Sequence, residues 1–231
     1  MFKEPKKRAV VLFSGGQDST TCLLWAMREY ERVFPLVIDY GQRHAVEIEC
    51  ARDICQRLNL ELTEVRNDEF RAFGDDALTR PTRKIEAGNG LPNTFVPGRN
   101  LSFLATAARF AYFVGADAVV AGMCQTDYSG YPDCRDEFVR AAEAAIRLAL
   151  DRPIPIRTPL MFLSKAQTWQ LADELGGLDF VVQFTHTCYR GVRDELHDWG
   201  YGCGCCPACE LRKKGWAEYV SDYRPIAPQK T

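Results

Sequence analysis

Residues 13–23 read FSGGQDSTTCL and follow directly on the apolar run AVVL of residues 9–12. Two glycines and a group of hydroxyl side chains stand where a buried strand hands over to a helix. Glycine lets backbone N–H groups converge on one anion, and the positive end of the following helix adds to the attraction. Ser14, Ser19 and Thr20 can add hydroxyl donors. The plainer alternative is a tight turn before a helix that Asp18 or Ser19 caps. A Walker loop needs a lysine directly after its glycines, and the dinucleotide fingerprint needs a third glycine; this stretch has neither.

Outward from the loop, strand-like and helix-like patterns alternate. Strands are expected over 8–13, 33–39, 61–65, 118–123 and 153–160, and helices over 19–30, 45–58, 101–114, 137–150 and 165–175. In the second helix Val46, Ile48, Ala51, Ile54, Cys55 and Leu58 fall at helical spacing. Ser164 is placed to cap the last one, and Gly176 and Gly177 to stop it. This alternation argues for an α/β fold with a mainly parallel sheet. Residues 66–99 break the pattern with frequent Pro, Gly, Asn and Asp. So long a structureless stretch is usually functional, and a lid over bound substrate is the expectation it raises.

The 231 residues are 46% hydrophobic and 26% charged, enough for a full core under a charged surface. A net charge of −2 argues against a nucleic-acid partner. No apolar run suits a membrane span or a signal peptide, so the expected location is the cytoplasm. Of ten cysteines, Cys22, Cys50, Cys55, Cys124 and Cys134 are scattered, whereas Cys188, Cys203, Cys205, Cys206 and Cys209 crowd together. In CGCCPAC, Cys203, Cys206 and Cys209 make C-x-x-C-x-x-C, and Cys188 can supply a fourth sulfur. Four thiolates suit a closed, structural zinc site. A redox pair and an iron–sulfur cluster are the alternatives. Cys205 adds a C-x-C and a vicinal pair, and His186 and His197 are acceptable ligands, so spacing alone leaves the ligand set open.

The string SGGxDS resembles the pyrophosphate loop of the PP-loop ATP pyrophosphatases. IDYGQRH (38–44), PNTFVPGRN (92–100), TDYSGYPDCRDEF (126–138), TPLMFLSKAQTWQLA (158–172) and the tail TCYRG…CGCCPACELR extend the likeness. Together they resemble the 7-cyano-7-deazaguanine synthase family, from about residue 9 to residue 216. One departure is the stretch 192–201, longer than the family pattern implies.

The resemblance implies a Rossmann-like sheet of the adenine nucleotide alpha hydrolase type over 1–180. A zinc-binding segment over 181–231 would pack on it. It implies a homodimeric C–N ligase that converts 7-carboxy-7-deazaguanine, ammonia and ATP to the nitrile, with Mg²⁺. ATP would be bound by Phe13, Ser14, Gly15, Gly16, Gln17, Asp18, Ser19, Thr20, Thr21, Cys22 and Leu23. Zinc would take Cys188, Cys203, Cys206 and Cys209, leaving Cys205 out. Asp18 and Asp39 are candidates for Mg²⁺, and Arg99 or Lys165 for stabilising charge on the α-phosphate. Asp127, Tyr131, Asp133 and Arg135 are candidates for reading the base and its carboxylate. Against that, Asp133 would only fix its loop and Arg135 only start a helix. Cys124 and Cys134 read as buried or site-lining thiols, since an adenylate needs no covalent enzyme intermediate. The rival readings are a tRNA-thiolating or other adenylating PP-loop enzyme, and a zinc-ribbon module that senses nucleotide.

Overall fold

Three consecutive residues, Ala9, Val10 and Val11, are wholly buried, although successive side chains of a strand face opposite ways. Burial on both faces is what a central parallel strand requires. The computed structural model describes residues 7–42, 46–73, 76–80, 91–126 and 131–224. It sets this strand, β1 (Arg8–Leu12), in the middle of a five-stranded sheet. Its companions are β2 (Arg32–Asp39), β3 (Thr63–Arg66), β4 (Ala118–Val120) and β5 (Ile156–Arg157). All pair in parallel, in the order β3-β2-β1-β4-β5. Val10, Leu36, Ile38 and Val119 pack on helices α4 (Arg99–Val114) and α5 (Asp136–Leu150). Ala9, Val11 and Phe13 face the other way, toward α1 (Gln17–Glu29) and α2 (Val46–Arg57). The expected α/β fold is therefore present, with helices on both faces. No described helix is long and apolar enough to cross a membrane.

Two strands are shorter than their sequence suggests. Pro153 and Pro155 have no N–H to give a ladder, so only Ile156 and Arg157 pair. Beyond Val120 the chain leaves the sheet, and Ala121, Gly122 and Met123 line a cleft instead. The segment after β3 has structure that its sequence hid. A short helix α3 (Glu69–Phe73) leads to a turn in which Asp76 Oδ1 accepts N–H bonds from Leu78 and Thr79, both at 2.9 Å. Phe70, Leu78 and Val96 bury themselves against Tyr40. Of the stretch 66–99 that raised the lid expectation, residues 74–75 and 81–90 lie outside the described residues, as does Asp127.

Helix α6 (Lys165–Glu174) starts as expected, with Ser164 and Gln167 forming a reciprocal capping box. The elements after α6 were not legible in the sequence. Helix α7 (Leu178–Phe184), a hairpin of β6 (Leu196–His197) and β7 (Gly200–Tyr201), and helix α8 (Pro207–Asp222) complete the chain. The hairpin accounts for much of the long stretch 192–201. A third apolar cluster joins α6, α7 and α8 through Trp169, Val181 and Tyr219.

Arg212 is buried at the centre of this region. Its guanidinium donates to the carbonyls of Trp199 (2.7 Å) and Val181 (3.2 Å) and to the Thr187 hydroxyl (2.9 Å). Burial pulls its pKa down to about 10.

Helices α6 and α8 touch most closely at Gly215, where a Cβ would stand 2.4 Å from Lys165 Cγ and 3.0 Å from its backbone carbonyl carbon. Overpacking of that kind costs about 1–3 kcal/mol, whereas alanine returns only about 1 kcal/mol of helix propensity. Gly215→Ala should therefore lower the melting temperature by a few degrees. An unchanged melting temperature would show that α8 docks without this contact.

Candidate active site

Strand β1 has β2 on one side and β4 on the other, and the chain leaves in opposite directions around it. In a parallel sheet such a switch point opens a crevice at the carboxyl ends of the strands. The glycine loop fills it. Gly15 has φ +82°, and a Cβ there would stand 2.5 Å from the Glu47 carbonyl oxygen, in the first turn of α2. Only glycine allows the loop to lie so close. Gly16 caps α1 without any side-chain bond, so neither Asp18 nor Ser19 is used as a cap. The hydroxyls of Ser14 and Ser19 are 3.1 Å apart, and Ser19 donates to the Gly16 carbonyl. The Asp18 carboxylate receives Lys165 Nζ at 2.8 and 2.9 Å.

The cleft has two lobes of about 270 Å³ each, which share Ser14, Asp18, Ser19, Tyr40, Glu47 and Arg99. One lobe runs over the strand ends, past Leu36, Ile38 and Met123. The other is bounded by Tyr131, His186 and Tyr189. Among the expected residues, Phe13, Ser14, Gly16, Gln17, Asp18, Ser19, Arg99 and Tyr131 line the cleft. Lys165 reaches it through Asp18. Thr20, Thr21, Cys22 and Leu23 are buried within α1.

Three other candidates are engaged elsewhere. Asp39 Oδ1 accepts the Gly41 N–H at 2.9 Å. Asp133 Oδ2 accepts the Asn100 N–H at 3.1 Å, which braces the first turn of α4. Arg135 stands at the start of α5, with a guanidinium nitrogen 3.7 Å from Glu137. Neither Asp133 nor Arg135 is among the residues lining either lobe.

Sulfurs of Cys188, Cys203, Cys206 and Cys209 all lie within 4.8 Å of one another, a set that could hold one metal ion. The Cys188–Cys206 and Cys203–Cys209 pairs are each 4.0 Å apart. Hydrogen bonds from the Cys206 and Cys209 thiols hold the Cys188 pKa down and push their own up. Cys205 is exposed beside this group, and its sulfur accepts from Arg190 at 3.3 Å.

With this geometry in view, kinship can be read. Residues 8–220 match the family described as queuosine biosynthesis protein QueC. The chain belongs to this family. It is 52% identical to a 7-cyano-7-deazaguanine synthase of Bradyrhizobium sp. strain BTAi1, over 92% of this chain and 95% of that one. The synthase of Nitrobacter hamburgensis is likewise 52% identical, over 96% and 99% of the two chains, and that of Burkholderia lata is 49% identical over 96% of each. Its relatives are enzymes, and so is this chain. A 4-thiouridine synthetase, crystallised with RNA and bound ATP, shares the fold. The TM-score is 0.50 and the identity 16%, over 93% of this chain and 51% of that one.

Cleft residues to which the sequence reading gave no site role include Tyr40, Glu47 and Tyr189, while His186, weighed there as a metal ligand, lines the second lobe. Tyr40 and Tyr131 both stand against Arg99, with ring centroids 5.7 and 5.9 Å from its guanidinium carbon. Burial works against the Arg99 charge, yet the phenols of Tyr40, Tyr131 and Tyr189 more than offset it, and its pKa is raised. Burial likewise pushes the Glu47 carboxyl up to about 7, against the pull of Arg99. The folded enzyme therefore keeps a proton on Glu47 up to about pH 7, whereas the unfolded chain gives it up near 4.5. Between those values the folded state binds the extra proton, so this contribution to stability falls as pH rises. Glu47→Gln should flatten that fall by on the order of 1–3 kcal/mol, seen by comparing melting temperatures of both proteins across this window. Parallel curves would show that Glu47 ionises normally.

Proposed function

We infer that the chain uses ATP to convert 7-carboxy-7-deazaguanine and ammonia to 7-cyano-7-deazaguanine. A carboxylate is a poor electrophile because its oxygen leaves badly. Attack of that oxygen on the α-phosphate gives an acyl adenylate and pyrophosphate. Ammonia then displaces AMP, forming the amide and releasing a proton. A second round adenylates the amide oxygen, releasing pyrophosphate and one N–H proton, and loss of AMP with the remaining N–H proton leaves the nitrile.

The observation that carries this reading is the phosphate loop opening, past Arg99, into a second lobe walled by Tyr131 and Tyr189. The name shared by relatives about half identical supplies the substrate. The loop amides and the hydroxyls of Ser14 and Ser19 hold the departing pyrophosphate, where donors fixed in advance act on charge as it grows. The lobe over the strand ends takes the nucleoside of ATP. Arg99 lies between the lobes, placed to meet the 7-carboxylate or the α-phosphate. Mg²⁺, held with the phosphates by Asp18, would neutralise phosphate charge, since Asp39 lines neither lobe.

Zinc fits the four-cysteine group. Four Zn–S bonds of about 2.3 Å set sulfurs about 3.8 Å apart, close to the 4.0 Å of two pairs here. Cys188, Cys203, Cys206 and Cys209 would hold it, and it would supply stability to the segment rather than chemistry. The family resemblance further supports a cytoplasmic homodimer.

Pyrophosphate release on adding 7-carboxy-7-deazaguanine and ammonia, with the nitrile identified by mass, tests the reaction. Asp18→Asn should cut kcat by roughly a hundredfold or more while melting normally; wild-type turnover in that variant would overturn the role of the loop. For the metal, Cys205→Ser should keep one zinc per chain, whereas Cys206→Ser should lose it and become poorly soluble. Metal content of the two purified variants decides, and the reverse result would mean a different ligand register.

A further inference from the structure

The stretch PNTFVPGRN (92–100) supplies Arg99 to the cleft, yet its Thr94 lines neither lobe. Thr94 is nonetheless buried, at 4% exposure, and its hydroxyl lies 2.6 Å from that of Tyr131. Two buried hydroxyls at that distance share a short hydrogen bond that water does not compete for. It ties together segments 37 residues apart in sequence. The main chain fixes Thr94 independently of this bond. The Phe95 N–H donates to the Pro92 carbonyl at 2.9 Å, and the Ala77 N–H to the Asn93 carbonyl at 2.8 Å.

What the bond orients is a wall of the cleft. Tyr131 lines the second lobe and not the lobe over the strand ends. Phe95, which lines neither, packs on the Tyr131 ring from outside the cleft, with centroids 5.7 Å apart and planes 34° apart. Arg99 stands against the same ring, its guanidinium carbon 5.9 Å from the centroid. The Phe95 contact sets the tilt of the ring, and the hydroxyl bond sets where its far end stops. A flat heterocycle gains most from an aromatic wall held at one angle. Without the Thr94 hydroxyl, the phenol loses a buried partner and the ring its stop.

We propose that Thr94 is a positioning residue for the deazaguanine: its hydroxyl holds the Tyr131 phenol, and so the wall of the second lobe, at the angle at which the base is bound. This rests on the ligase reading above. It assigns Thr94 to one substrate alone, since Tyr131 does not line the lobe that takes the nucleoside of ATP.

The two ideas fail differently. Exchange of labelled pyrophosphate into ATP by the wild-type enzyme, with 7-carboxy-7-deazaguanine and no ammonia, tests adenylation alone; no exchange would sink the ligase reading and this proposal with it. Given exchange, steady-state kinetics test Thr94 itself. Thr94→Val, which loses the hydroxyl, should raise KM for 7-carboxy-7-deazaguanine roughly threefold to tenfold, with KM for ATP moving by less than about twofold. Thr94→Ser, which keeps the hydroxyl, should restore it. Tyr131→Phe loses the same bond from the other side, so it should match Thr94→Val, and the double variant should be no worse than either. Additive losses in the double variant, a common rise in both KM values, or a Thr94→Ser as impaired as Thr94→Val would each mean that residue 94 merely supports the fold and would overturn the proposal. So would an unshifted deazaguanine KM in folded Thr94→Val. Should Thr94→Val fail to fold, Tyr131→Phe decides by the same split between the two KM values.

Discussion

The glycine loop can lie where it does only because residue 15 has no side chain. Backbone of α2 occupies the space a Cβ would need, with the Glu47 carbonyl oxygen at 2.5 Å and the Ala51 nitrogen at 2.7 Å. That approach turns the Gly15 carbonyl toward residue 186, whose N–H it accepts. Two residues further on stands Cys188, the first sulfur of the cysteine group. One missing methyl thus sets the depth of the loop, the position of Glu47 in the cleft and the seat of the C-terminal segment. Any larger residue would also be held at positive φ, so the strain would be doubled.

Much of this was legible where a local rule dominates. Strand β1, its loop and α1 announced themselves through an apolar run, two glycines and a helical pattern. The cap at Ser164 followed from residue type and position, and the structure adds Gln167 as its reciprocal partner. Helix α8 did not, because its buried face is Ala208, Cys209, Arg212, Gly215 and Tyr219, a row that includes a cation and a glycine. Hydrophobic periodicity cannot flag a helix whose central buried side chain is an arginine satisfied by carbonyls. The hairpin escaped for a similar reason, since two residues per strand leave no alternation to count. Within the cleft, the loop could be read from its string, whereas Asp133 and Arg135 looked like recognition groups and sit outside both lobes. Their types suited recognition, but side-chain direction is set by the 3₁₀ turn at Pro132–Cys134, which sends Asp133 to the start of α4. Glu47 carried no signal beyond lying next to IDYGQRH, and His186 read as a possible metal ligand, whereas its ring meets the Cys188 carbonyl and lines the cleft.

Arg212, Lys165 and Arg99 are each withdrawn from water, and each is held by a different chemistry. Arg212 rests on two carbonyls and a hydroxyl. Lys165 has the Asp18 carboxylate, and Arg99 has a ring of phenols. Carbonyls and phenols bring no full negative charge, so Arg99 keeps a net field that an incoming anion can still feel. Lys165 is largely neutralised before substrate arrives. The division fits a site that must attract two anionic molecules without locking either in place.

The lodging of the Lys165 stem against Gly215 also puts the enzyme on a timetable. A ribosome makes β1 and the phosphate loop first, then α6, and α8 only afterwards. Until α8 emerges, Gly215 and the last of the four clustered sulfurs, Cys209, have not been made. A half-built chain therefore carries the glycine loop and Lys165 before the helix that packs on the lysine stem exists.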